Sequence, residues 1–324
     1  MHILNTKPCR SRYLCGSGML FSYKARMTYY RLVRKARQLY DPDPKRLQQL
    51  VGLAEPLFPV LSPLPKGVKL SKGEMAGVDC ERLIPAELKA PAMRLLFLHG
   101  GAFVFGSPKT HRSMAGYLTR ELGCEAVVPA YQLAPKAQYP QQLEEVLGVY
   151  RALLDEGLHV VVAGDSAGGN LALALTHRIL SEGLHAPHSL LLFSPWLDLR
   201  DTSAAAVENK EEDSLFNADD MRQYAGLYTG DARADQAGIS PILGPVDELP
   251  PVFLQGALNE FLWPDFEAWA GRLETEGGQF ECDREEVAFH SWQLFPLYSG
   301  QARASLERAA QFVRRTLRTA VVTK

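Results

Sequence analysis

One serine in this chain stands where the backbone can turn tightly enough to present it: Ser166, within Gly164-Asp165-Ser166-Ala167-Gly168. The chemistry such a residue offers is nucleophilic attack on an acyl carbon. A serine hydroxyl is a poor nucleophile at neutral pH, so it needs a base within hydrogen-bond reach and a third group to orient that base. The spacing fits the G-x-S-x-G nucleophile elbow, a sharp strand-to-helix turn with the serine at its apex. Gly164 and Gly168 leave room where a Cβ would meet neighbouring backbone. A helix-capping serine after a Gly-rich turn would look the same in isolation. The flanks decide for the elbow: β-branched Val160-Val161-Val162 precedes it, and Leu171, Leu173, Leu175 and Ile179 follow at helical spacing. The serine then sits at a helix N-terminus, whose free amides favour developing negative charge.

In chains built on this elbow, an acid follows the serine and a histidine follows the acid. The downstream histidines are His177, His185, His188 and His290. His177 lies inside the helix after the elbow, and His185 and His188 flank a short loop before a strand. His290 alone follows the last expected strand, on a loop that returns to the sheet's C-terminal edge, so it is the expected base. The acid belongs after the strand Val252–Gln255, which leaves Asn259, Glu260 and Asp265. Asn259 is neutral and cannot stabilise an imidazolium. Asp265 follows Pro264, where an acidic first-turn helix residue needs no catalytic explanation. Glu260 is the expected acid, with Asp265 as the alternative. His99-Gly100-Gly101-Ala102 follows another strand and fits an oxyanion loop, with the amides of Gly100 and Gly101 joined by that of Ala167 from the elbow itself.

The elements that must position these residues alternate. Strands are expected at Cys80–Ile84, Arg94–His99, Glu125–Ala130, His159–Ala163, Ser189–Phe193, Val252–Gln255 and Gln279–Val287, with helical spacing between most of them. That alternation implies a mostly parallel sheet with helices on both faces, an α/β fold. The body is taken as 66–324. Residues 199–240 break the rhythm and read as an insertion over the sheet's C-terminal edge, with a helix from Asp219 to Tyr228. Residues 1–18 are expected to lack order. Residues 19–65 read as a helical segment ending in a proline-rich linker, and with the insertion they would form a cap over Ser166.

Composition sets the outer limits. The chain has 324 residues, is 46% hydrophobic and 22% charged, and carries a formal net charge of −2, ordinary for a globular protein. The balance hides an asymmetry: the first 40 residues hold nine Lys or Arg and no acid, leaving 26 basic against 37 acidic residues elsewhere. A solvated helix face accounts for that arm more simply than nucleic-acid binding, and no basic patch interleaved with aromatics occurs elsewhere. Five scattered cysteines show no metal-ligand spacing and read as reduced thiols, so a cytoplasmic location is expected. No apolar run reaches the roughly 18 residues of a membrane span. The first 18 residues lack a continuous apolar stretch, which argues against a secretory signal.

With these residues in hand the chain resembles the hormone-sensitive-lipase-like esterases, bacterial family IV of the α/β-hydrolase superfamily. The matching pieces are His99-Gly100-Gly101-Ala102-Phe103, Tyr131-Gln132-Leu133-Ala134-Pro135, Gly164 to Gly169, Ser194-Pro195-Trp196-Leu197-Asp198-Leu199, Gln255 to Asp265, and His290 to Phe295. The likeness runs from about residue 75 to the C-terminus. It implies an α/β-hydrolase fold with a helical cap, and hydrolysis of short- to medium-chain carboxylic esters by Ser166, Glu260 and His290, with no cofactor and no metal. The partner expected is a small-molecule ester, with no nucleic acid and no transmembrane segment. A homodimer is compatible with the sequence, which does not determine the oligomeric state. There are departures. Ala102 stands where the family has a third glycine, and Gln132 and Lys136 replace an arginine and a glutamate, which unsettles a salt-bridge arrangement and not the chemistry. Asp198, ahead of the insertion, is read as structural. Two rival functions remain at this level: an amidase or peptidase on the same triad, and a non-catalytic ligand-binding relative of the fold.

Overall fold

The computed structural model of the chain describes residues 62–200, 218–286 and 288–322. An eight-stranded sheet organises them: β1 (Val68–Met75), β2 (Val78–Pro85), β3 (Met93–Leu98), β4 (Glu125–Pro129), β5 (His159–Asp165), β6 (Ser189–Phe193), β7 (Val252–Ala257) and β8 (Phe280–Glu285). Their spatial order is β1-β2-β4-β3-β5-β6-β7-β8. β1 and β2 run antiparallel to their neighbours, and every other pairing is parallel. The helices are α1 (Pro108–Leu122), α2 (Gln141–Asp155), α3 (Ala167–Ser181), α4 (Ala218–Thr229), α5 (Trp263–Glu276) and α6 (Gly300–Val322).

The central strands read as continuous apolar runs because both sheet faces are covered, so both sets of alternating side chains need apolar partners. In β5, Val160 and Val162 point into one core with α2, α3, α4 and α5. Val161 and Ala163 point into the other, with α1 and α6. β3 and β6 divide in the same way. Burying each such Val or Leu contributes about 1.5–3 kcal/mol, so the site's strands sit on the most heavily stabilised part of the sheet.

Six of the expected strands and the helix expected at Asp219 to Tyr228 lie within a few residues of their sequence-derived positions, and Gln279–Val287 shortens to β8. β1 has no counterpart in the sequence reading. It is a polar edge strand, paired only with β2, and its residues are half-buried or exposed. The sequence-derived segments 1–18 and 19–65 lie outside the described residues apart from 62–65, where the Ser62 hydroxyl accepts the Ser113 N–H of α1 at 3.0 Å. The insertion is described only from Ala218 onward, after residues 201–217. There α4 packs on the loop that follows β3: Tyr228 stacks on Phe103 with ring centroids 3.7 Å apart, and Tyr224 meets Phe105 edge-on.

The elbow joins β5 to α3 with Ser166 at φ 53°, ψ −123°, a backbone region a side chain occupies only when its surroundings force it. The Ser166 N–H donates to the Phe193 carbonyl at 2.9 Å, and its own carbonyl accepts from Trp196 at 3.0 Å. Gly168 of α3 lies so close to β3 that an added Cβ would collide with the Leu98 and His99 carbonyls. The Gly168→Ala variant is expected to lose about 3 kcal/mol or more, since neither neighbour is a movable side chain. Urea unfolding measures it, and a loss under 1 kcal/mol would contradict the packing described.

Candidate active site

Three side chains from three loops meet at the C-terminal edge of the sheet. Ser166 comes from the turn after β5, Glu260 from the turn after β7, and His290 from the loop between β8 and α6. Ser166 Oγ lies 2.9 Å from His290 Nε2, and His290 Nδ1 lies 2.9 Å from Glu260 Oε2. All three are buried. The second carboxylate oxygen, Glu260 Oε1, accepts the Ala257 N–H at 2.8 Å, so the carboxylate is held at both ends. Asn259, next to it, accepts the Ala288 N–H at 3.1 Å and ties down the loop that carries His290. The result is a hydroxyl, an imidazole and a carboxylate in one hydrogen-bonded line, the arrangement that raises a hydroxyl's nucleophilicity.

Beside this line runs the loop after β3. Gly101, Ala102 and Phe103 all have positive φ, at 122°, 52° and 62°. Tyr131 donates to the His99 carbonyl at 2.6 Å, and the Ala134 N–H donates to the Phe103 carbonyl at 2.9 Å, so the Tyr131 to Pro135 segment braces the loop. The Gly100 N–H is directed to Asp165 Oδ1 at 3.0 Å, with His111 Nε2 at 3.1 Å. It therefore turns away from the role the sequence suggested for it. Among the described residues, no acceptor meets the N–H groups of Gly101, Ala102 or Ala167.

Asp165 sits at the back of the site. Burial pushes its carboxyl up, yet His111, His290 and the Gly100 amide outweigh that and hold it below the usual carboxylate range. His111 Nε2 is 3.2 Å from Asp165 Oδ1, and the Ser291 hydroxyl donates to Asp165 Oδ2 at 3.1 Å. Burial and the nearby His111 push His99 down to about 3, so it is neutral at physiological pH. Sequence reasoning missed Asp165, His111 and Ser291. The only local signal was an acidic residue directly before the serine.

The remaining candidates have other partners. His177 meets the Pro245 carbonyl, His185 the Ala186 carbonyl, and His188 the Thr316 hydroxyl. Asp265 Oδ2 accepts the N–H groups of Leu197 and Asp198, both at 2.9 Å, and so joins α5 to the strand exit after β6. Asp198 pairs with Arg200.

Comparison with known proteins places the chain in a family. The family model for the alpha/beta hydrolase fold matches residues 95–294. LipR of Mycobacterium tuberculosis is 38% identical over 237 residues, spanning 72% of this chain and 75% of its own. An esterase of Acinetobacter venetianus is 30% identical over 250 residues, 76% of this chain and 82% of its own. The crystal structure of an esterase from the bacterial hormone-sensitive lipase family superposes with a TM-score of 0.83 at 25% identity, over 94% of this chain and 99% of that one. The chain belongs to the hormone-sensitive-lipase-like esterases of the α/β-hydrolase family.

Among the hormone-sensitive-lipase-like esterases this chain's departures now have a structural reading. Ala102 holds φ 52° where the family has glycine, so the loop keeps its left-handed turn at a steric cost of about 1–2 kcal/mol. Gln132 replaces an arginine and still reaches its neighbour: its side chain and its N–H both bond to Glu145, at 2.8 Å each. No helix among the described residues is long and apolar enough to cross a membrane, and no cluster of potential metal ligands occurs among them.

Burial pushes the Asp265 carboxyl up to about 7, against the pull of the Asp198 and Leu197 amides. Its ordinary value is 3.8, so the native state holds this proton more tightly than the unfolded chain does. Its contribution to stability is thus full below the unfolded value and is lost as pH rises through about 7. The stability difference between wild type and Asp265→Asn is expected to move against wild type between pH 5 and pH 8, read from paired urea titrations. A pH-independent difference would contradict it.

Proposed function

We propose that the protein hydrolyses short- to medium-chain carboxylic esters through Ser166, His290 and Glu260, with an acyl-enzyme intermediate and no cofactor. One observation carries the reading: the unbroken line Ser166 Oγ, His290 Nε2, His290 Nδ1, Glu260 Oε2, with 2.9 Å at each hydrogen bond. Relatives named esterase and acetyl-hydrolase support the substrate class.

Ser166 Oγ attacks the acyl carbon while its proton passes to His290 Nε2. Glu260 holds the Nδ1 proton, fixes the tautomer and stabilises the imidazolium. The carbonyl oxygen becomes an oxyanion that the N–H groups of Gly101, Ala102 and Ala167 receive; Ala102 takes the place the sequence suggested for Gly100, whose N–H belongs to Asp165. The imidazolium then protonates the leaving alkoxide, and the C–O ester bond breaks to give alcohol and acyl-enzyme. Water, deprotonated by His290, attacks the acyl carbon. Collapse releases the carboxylic acid and returns the proton to Ser166. The apolar face of α4 with Met221 and Tyr224, set over the Phe103 loop, forms part of a cap wall that receives the acyl chain.

The tests separate the roles. The Ser166→Ala variant is expected to lose about 10⁴-fold or more in kcat on p-nitrophenyl butyrate, with its fold retained. Retention of a tenth of wild-type activity would remove Ser166 from the role. The Glu260→Gln variant is expected to fall by about 10⁴-fold, while Asp265→Asn stays near wild type. The reverse pattern would move the acid to Asp265. A matched pair of phenyl ester and anilide reports the leaving group, with the ester turned over faster.

A further inference from the structure

A buried carboxylate next to the nucleophile joins three separate parts of the chain. Asp165 closes β5, one residue before Ser166, and is 1% exposed. Its Oδ1 receives the Gly100 N–H at 3.0 Å, at the base of the loop that carries the Gly101 and Ala102 amides. Its Oδ2 receives the Ser291 hydroxyl at 3.1 Å, on the residue after His290. Ser291 has φ 53°, a left-handed backbone that serine holds only under constraint. The fit at Gly100 is close, since an added Cβ there would stand 2.6 Å from Asp165 Oδ2.

His111 completes the arrangement from α1. Its Nδ1 faces Thr110 Oγ1 at 2.6 Å and the Ser107 carbonyl at 3.2 Å, while the Thr110 hydroxyl itself donates to Ser107 O at 2.7 Å. Nδ1 therefore carries a proton. Nε2 lies between the Gly100 N–H and Asp165 Oδ1. The imidazole thus closes off, from α1, the same carboxylate oxygen that the Gly100 N–H reaches. The other ring groups close by are the buried His99, whose centroid is 5.5 Å from that of His111, Tyr131 stacked on His99, and His290.

We propose that Asp165, backed by His111, is a positioning residue that sets the oxyanion loop and the His290 loop together around Ser166, so that the amides and the base are both placed for the tetrahedral intermediate. This rests on the hydrolytic reading above. A hydrogen-bond hub that only holds the fold would weaken stability without separating kcat from KM. A positioning role predicts that transition-state complementarity goes first, because displacement by about 1 Å costs about 10²-fold.

The experiment compares wild type, Asp165→Ala, Asp165→Asn and His111→Gln. Each is assayed for kcat and KM on p-nitrophenyl butyrate and for Ki with an alkyl trifluoromethyl ketone of matching chain length. That ketone's tetrahedral adduct puts its oxyanion on the same amides. Folding is followed by urea titration. Asp165→Ala is expected to lose about 10²-fold in kcat with KM within about threefold, and its ketone Ki is expected to rise in step with the fall in kcat/KM. Asp165→Asn keeps an acceptor for Gly100 and is expected to recover part of the loss, remaining about tenfold below wild type. His111→Gln is expected to lose less than Asp165→Ala. If Asp165→Ala does not fold, Asp165→Asn decides: kcat and ketone Ki equal to wild type would overturn the proposal. So would a folded Asp165→Ala with kcat within threefold of wild type, or one whose kcat falls while ketone binding stays intact. A wild-type protein inert to both ester and ketone would instead bring down the hydrolytic reading, and this proposal with it.

Discussion

A serine held at φ 53° at the end of a buried central strand is the constraint on which the rest of this structure depends. Such backbone is unfavourable by about 1–3 kcal/mol and persists only where the surroundings over-determine it. Here the surroundings are the sheet itself. The Ser166 N–H is bonded to β6 through Phe193, its carbonyl to Trp196, and the close approach of Gly168 to β3 leaves α3 only one way to begin. A strand with apolar partners on both faces is stable enough to carry that local cost. The fold thus supplies rigidity at the point where the Ser166 hydroxyl is presented to His290.

Charge is handled at the same edge by three buried carboxylates with three different environments. Glu260 faces an imidazole and a backbone amide. Asp165 faces His111, an amide and a hydroxyl, and is held ionised by the sum of them. Asp265 faces two amides with no ion-pair partner among the described residues, and its proton is held up to about 7. One functional group therefore meets an imidazole, the base of the loop after β3, and the junction between α5 and the exit of β6. The difference lies in what surrounds each carboxylate, as expected where environment sets the protonation state.

Helix α4 and the loop after β3 pack as one unit. Phe103 leaves the loop and stacks on Tyr228 of α4, and Tyr224 reaches Phe105. Aromatic pairs of this kind add about 0.5–1.5 kcal/mol beyond the area they bury. A change in α4 is consequently felt by the loop that carries Gly101 and Ala102, beside Ser166. The left-handed Ala102 within the same loop is accommodated because Phe103 on one side and the Tyr131 segment on the other leave it no alternative path.

The elbow turn and the meeting of Ser166, His290 and Glu260 at one edge were legible in the sequence because each depends on local backbone demands or on chain order. Small residues must flank a tight turn, and the base must follow the last strand. The alternating apolar pattern likewise set the α/β class, since side chains on both faces of a covered sheet must be apolar. β1 escaped that logic because an exposed edge strand paired on one side needs no apolar face. What only the tertiary structure decided is where each polar group finds its partner. The Gly100 amide looked free until its acceptor, 65 residues away, was placed against it, and Ser291 lies 126 residues from the same carboxylate. Hydrogen bonds across such separations leave no periodic trace, because their geometry comes from how strands β3, β5 and β8 bring their ends together.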